Sequence, residues 1–115
     1  MCGFITLWDK SGGRPAADMN TISEAFAHRG PDDFDSMFLG PAALGFRRLK
    51  IIDLSPRARQ PMLNEDGRLA LVFNGEIYNY LPLREQLLRK GHVFRSESDS
   101  EVILHLYEEE GEACV

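Results

Sequence analysis

Phe34-Asp35-Ser36-Met37-Phe38-Leu39-Gly40-Pro41-Ala42-Ala43-Leu44-Gly45-Phe46 is the stretch that decides the fold class. Its two apolar-rich runs, residues 34–39 and 42–46, meet across Gly40-Pro41 and read as strands with no helix between them. Toward the N-terminus, residues 4–8 form a further strand, closed by the turn signal Asp9-Lys10-Ser11-Gly12-Gly13. Between them, Met19, Ile22 and Phe26 recur at helical spacing, predicting a helix over 18–27 with Asp18 as N-cap. It should stop near His28-Arg29-Gly30-Pro31, where Gly30 can turn left-handed and Pro31 cannot continue a helix.

Toward the C-terminus, Ile51-Ile52 is expected to add a short strand, and residues 53–64 read as irregular. Asp66-Gly67 is a tight-turn pair. Residues 68–73 are nearly continuous in apolar character, predicting a strand covered on both faces, which Asn74-Gly75 breaks. A helix follows over 81–90, with Asn79 capping, Pro82 in the first turn and Gly91 ending it. Residues 92–95 read as a short strand. Ser98-Asp99-Ser100-Glu101 fits the S-x-x-E capping box and opens a third helix, with Val102, Ile103, Leu106 and Tyr107 inward and residues 108–110 as a solvated end. Helices and short strands without regular βαβ alternation give an α+β class. The sequence stops at Cys114-Val115 directly after a helix, so a sheet with open edges is expected to need a partner or more chain.

The composition narrows the function classes. The 115 residues suit one domain, and 43% hydrophobic with 27% charged residues is a globular balance rather than a disordered one. A net charge of −5 without a basic tract argues against nucleic acid and anionic membranes as partners. No apolar run is long enough to span a bilayer, and Asp9 and Lys10 interrupt the first apolar stretch too early for a signal peptide. Cys2 and Cys114 lie at opposite ends, which predicts reduced thiols in a cytoplasmic protein. His28, His92 and His105 are not at ligand spacing with Cys2, so no metal site is expected. No Walker-type loop is present, and Ser11-Gly12-Gly13 reads only as a turn.

Three groups of residues carry possible chemistry. Removal of Met1 would make Cys2 the first residue, with a thiol nucleophile and an α-amine base on one framework. Gly3 and the strand behind it would anchor that terminus. Asn74-Gly75 offers a side-chain amide and a backbone N–H, two donors for a carbonyl oxygen that becomes negative, or else an ordinary turn. Arg48 and Asp99 match the carboxylate and ammonium of an α-amino acid; the alternative is a surface cation and a helix-start anion.

The strings Met1-Cys2-Gly3, His28-Arg29-Gly30-Pro31-Asp32, Leu44-Gly45-Phe46-Arg47-Arg48-Leu49-Lys50-Ile51-Ile52-Asp53-Leu54-Ser55, Gln60-Pro61-Met62, Phe73-Asn74-Gly75-Glu76-Ile77-Tyr78-Asn79 and Ser98-Asp99-Ser100-Glu101-Val102-Ile103-Leu104 occur in order along the chain. Together they resemble the glutaminase domain of class II glutamine amidotransferases of the asparagine synthetase type. The resemblance implies an N-terminal-nucleophile αββα sandwich, incomplete on the C-terminal side, with 1–115 as its N-terminal part and the synthetase domain absent. It implies that Cys2 attacks the amide of L-glutamine, with Asn74 and Gly75 as oxyanion hole. Arg48 and Asp99 would hold the substrate's α-carboxylate and α-ammonium, while Leu49, Ile51, Ile52 and Glu76 line the pocket. No cofactor is implied in this chain, ATP and magnesium belonging to the synthetase domain; the partners implied are that domain or subunit and, for an open sheet, a second copy. A non-catalytic glutamine-binding or subunit-pairing module is the alternative. The family usually carries histidine where this chain has Phe46, a change expected to affect packing or the pocket wall.

Overall fold

The computed structural model describes residues 2–114. The described chain is α+β and divides into two compact units. The first holds the chain up to Lys50 with Arg59–Pro61 and Val72–Asn74; the second holds Ile51–Ala58, Met62–Leu71 and the chain from Gly75 onward.

The first unit is a three-stranded antiparallel sheet with one short helix. Strands β1 (Gly3–Trp8) and β2 (Asp33–Leu39) flank the central β3 (Ala42–Arg48), in the order β1-β3-β2. The turn between β2 and β3 uses Gly40 at φ +55°, a conformation that costs glycine little. Helix α1 (Met19–Glu24) is capped as expected: Asp18 accepts from the backbone N–H groups of Asn20 and Thr21. It lies on one face of the sheet, where Gly45 makes room for it. A Cβ there would come within 2.9 Å of Met19 Cε and 3.1 Å of Ile5 Cγ2. Along β3, Ala43 and Gly45 are buried on one face of the sheet and Phe46 and Arg48 on the other, and Phe46, only 2% exposed, is a core residue.

The second unit pairs β4 (Met62–Leu63) with β5 (Ala70–Leu71) in a hairpin turned by Gly67 at φ +72°. Helices α2 (Tyr80–Arg89) and α3 (Glu101–Glu110) follow, with Leu87, Val102 and Leu104 in the core. Gly91, at φ +100°, ends the α2 region.

Several sequence expectations give way to tertiary context. Helix α1 stops at Glu24 because the backbone leaves helical geometry at Phe26, whose ring packs against Gly3; a separate 3₁₀ turn covers Ala27–Arg29. Gly30 is extended at φ −139°, not left-handed. Its missing side chain matters for closeness instead: a Cβ would lie 2.3 Å from the Arg47 carbonyl carbon. Residues 51–52 and 92–95 are not strands, and the expected strand over 68–73 shrinks to the two residues of β5, half-buried rather than covered on both faces. The S-x-x-E box does not close on Ser98. The Glu101 carboxylate instead accepts from the N–H groups of Arg95 (2.7 Å) and Ser96 (2.8 Å) and from the Ser96 hydroxyl (2.5 Å). The inward face of α3 is Val102, Leu104 and His105, whereas Tyr107 is 42% exposed. The acidic end of α3 is not merely solvated, since Glu108 bonds Asn64 and His105 and Glu109 bonds Lys90 and His92.

Candidate functional site

The exit of β3 positions the first group of residues. The β1–β3 ladder runs out at Gly3↔Arg47, so Cys2 leaves it beside the Arg48-Leu49 end of β3. There the Leu49 N–H donates to Cys2 Sγ at 3.2 Å, and the thiol faces the Leu49 carbonyl at 3.6 Å. The Cys2 carbonyl in turn accepts from Arg29 Nε at 3.0 Å. Arg48 is 6% exposed and so is not a surface cation.

The segment that clasps the sulfur is itself held by the string His28-Arg29-Gly30-Pro31-Asp32. Gly30 lies against the Arg47–Arg48 backbone, closer than any side chain would allow. The Asp32 N–H donates to the Arg48 carbonyl (3.1 Å), and its carboxylate accepts from the Lys50 N–H (2.8 Å), so Asp32 brackets Leu49 on both sides. Arg29, Gly30 and Asp32 are supports that reasoning from chemistry missed. Their string carries the family resemblance but no chemical pattern that assigns them a task.

Asn74 also belongs to the first unit, and its approach is fixed by a side chain. Gln60 accepts the Phe73 N–H at 2.6 Å and donates to the Phe73 carbonyl at 3.3 Å, pairing with the backbone as a neighbouring strand would. Gln60 is buried, while Asn74 beyond it is exposed.

The remaining sequence-derived site residues, Ile51, Ile52, Gly75, Glu76 and Asp99, belong to the second unit. Ile51, Gly75 and Glu76 are exposed, Ile52 is half-buried, and Asp99 is 6% exposed. Asp99 Oδ2 accepts the Ile77 N–H at 2.8 Å and so fixes the backbone just after Glu76. Asp53, at φ +49°, accepts from the Ser55 and Glu97 N–H groups and joins the 51–55 loop to the segment before α3. Glu101 anchors that segment from the helix side. Burial pushes its carboxyl up, but the contact with His105 and the donors at Arg95 and Ser96 outweigh it, and the group titrates below the ordinary range. Met1, whose removal the Cys2 reading requires, lies outside the described residues.

One cluster has no counterpart in the sequence reading. His92 and His105, dismissed for lack of ligand spacing with Cys2, meet Glu65 and Glu108, with one donor atom from each residue inside a span of 4.8 Å. Spacing along the chain cannot reveal it, because three separate segments contribute.

Comparison with known proteins gives the site a context. Residues 1–115 match the family described as "Glutamine amidotransferase domain". Asparagine synthetase [glutamine-hydrolyzing] 1 of Bacillus subtilis is 40% identical over 111 residues, covering 93% of this chain and 17% of that protein. Asparagine synthetase [glutamine-hydrolyzing] 2 of the same organism is 47% identical over 90 residues, covering 78% of this chain and 12% of that protein. A probable asparagine synthetase [glutamine-hydrolyzing] of Schizosaccharomyces pombe is 44% identical over 118 residues, covering 99% and 20%. The chain thus spans about a fifth or less of the length of these curated relatives.

Proposed function

The chain belongs to the glutamine amidotransferase domain family, and from that premise we propose that it releases ammonia from L-glutamine, with Cys2 as N-terminal nucleophile. The observation that carries the reading is the Cys2 sulfur held against the Leu49 N–H at the exit of β3, with Arg48 buried beside it.

With Met1 removed, the Cys2 α-amine takes the thiol proton, directly or through one water. Sγ then attacks the side-chain carbonyl carbon of glutamine, and the oxygen becomes negative. The Asn74 side-chain amide and the Gly75 N–H donate to that oxyanion. The C–N bond breaks, the nitrogen takes the proton from the Cys2 α-ammonium, and ammonia leaves behind a γ-glutamyl thioester. Water attacks the thioester, glutamate departs and the thiol is restored. Arg48 binds the substrate's α-carboxylate and Asp99 its α-ammonium, while Leu49, Ile51, Ile52 and Glu76 line the pocket.

The finer architecture that goes with this function is the αββα sandwich. The face of the sheet away from α1 supports it: Phe4, Trp8 and Leu39 are exposed there, and a second layer would cover them. The ammonia passes to a synthetase domain or subunit, where an ATP- and magnesium-dependent step activates the acceptor. The relatives' names make aspartate, amidated to asparagine, the leading candidate.

The deciding experiment is glutamate release from glutamine by the wild-type chain and by Cys2→Ala, alongside intact-mass measurement of Met1 removal. Loss of glutamate release in the variant is expected. Unchanged release would overturn the mechanism.

A further inference from the structure

We propose that Glu65, His92, His105 and Glu108 form a binding site for one divalent transition-metal ion of the zinc type, with a structural role. Four donor atoms around a tetrahedral ion at bond lengths of about 2.0–2.1 Å are separated by about 3.3 Å. The cluster comes near that spacing, with one donor atom from each residue within 4.8 Å of the others. His105 Nδ1 lies 2.9 Å from Glu108 Oε2 and 3.5 Å from Glu65 Oε2; His92 Nδ1 lies 3.3 Å from Glu108 Oε2 and 4.0 Å from Glu65 Oε1. Both rings direct the same nitrogen, Nδ1, toward the two carboxylates.

The groups behind the donors suit ligation. With Nδ1 of each ring on the ion, the ring proton sits on Nε2. His92 Nε2 faces Glu109 Oε1 at 3.0 Å, the carboxylate partner that metal-bound imidazoles commonly have. His105, 1% exposed, has no hydrogen-bond partner at Nε2, and Glu101 Oε1 stands 3.8 Å from it, an ion-pair distance longer than a hydrogen bond. Asn64 donates to Glu108 Oε1 at 2.6 Å, and the Val93 N–H donates to Glu65 Oε1 at 3.1 Å, so the carboxylates are oriented too. Two neutral imidazoles and two carboxylates match a divalent charge. Mixed nitrogen and oxygen donors in four-fold arrangement favour zinc over magnesium, which demands six oxygens.

Glu65 lies in the β4–β5 turn, His92 follows α2, and His105 and Glu108 stand three apart on α3. The ion would therefore tie the hairpin to both helices. Four protein ligands leave no open position, which is the mark of a structural rather than a catalytic site.

The test uses the full chain, stripped with a chelator and titrated with Zn²⁺ by calorimetry and thermal melting, with Co²⁺ as a spectroscopic probe. About one Zn²⁺ per chain is expected, with a raised Tm and visible Co²⁺ bands of tetrahedral type lacking a thiolate charge-transfer band. His92→Gln and Glu65→Gln should each weaken Zn²⁺ binding at least tenfold. Glu65→Gln lies in a turn and keeps an oxygen for Val93, so it separates lost ligation from lost folding, with circular dichroism as the check. Absence of stoichiometric Zn²⁺ binding, unchanged affinity in Glu65→Gln, or a thiolate band that disappears in Cys114→Ser would overturn the proposal. None of these outcomes depends on glutamine hydrolysis.

Discussion

Individual residues in this chain matter mostly through what they hold still. Gly30 is required by closeness: with its Cβ position 2.3 Å from the Arg47 backbone, Gly30→Ala must push β3 away. The expected cost is about 1–3 kcal/mol of stability, read from urea unfolding. Gln60 substitutes for a strand partner at Phe73. Gln60→Leu leaves the half-buried Phe73 N–H and carbonyl without their side-chain partner, at a cost of about 1 kcal/mol, and should lower glutamine turnover through Asn74. Asp99→Asn separates binding from folding. The amide oxygen still accepts from Ile77, so Tm should hold, while loss of the charge opposite the substrate ammonium lowers kcat/KM for glutamine by about 10–100-fold. A normal kcat/KM in that variant would remove Asp99 from the substrate pocket.

At the scale of elements, the two helix starts differ in how they are tied down, and pH exposes the difference. Asp18 caps α1, and the Thr21 hydroxyl, then the Thr21 and Asn20 N–H groups, hold its carboxyl below the ordinary range despite slight desolvation. A depressed folded-state pKa means that the cap is fully effective above the unfolded value of about 3.9 and fades as pH falls through the folded one. Amide exchange at Asn20 and Thr21 should therefore lose protection only in that acid window, and at every pH in Asp18→Ala. Glu101 at the start of α3 has the same sign: its contribution is present above about 4.3 and lost below. Because Glu101 secures the Arg95 and Ser96 backbone, acid should loosen the segment leading to Asp99. Both carboxylates are visible in the sequence, but the partners are legible only for Asp18, which bonds its own next turn. Glu101 reaches back five and six residues into a loop that has no periodic signal.

For the whole molecule, the sheet face bearing Phe4, Trp8 and Leu39 makes a simple optical prediction. Trp8 is the only tryptophan and is 69% exposed. Its emission should be that of a solvated indole, open to acrylamide quenching, and should shift to shorter wavelength when another surface covers that face. A blue, unquenchable emission from dilute monomer would contradict the exposure. No helix among the described residues is long and apolar enough to cross a membrane, in line with the apolar runs of the sequence. The sequence by itself determined the α+β class, the strand pair around Gly40-Pro41, the cap at Asp18, the termination at Gly91 and the family. Each of these rests on local periodicity, turn chemistry or a string of adjacent residues. Only the tertiary structure decided that Gly30 and Asp32 grip the end of β3 around Leu49 and Cys2, that Gln60 acts as a strand for Phe73, and that two histidines and two glutamates converge. Those arrangements join residues far apart in the chain, through packing and hydrogen bonds that no local pattern encodes.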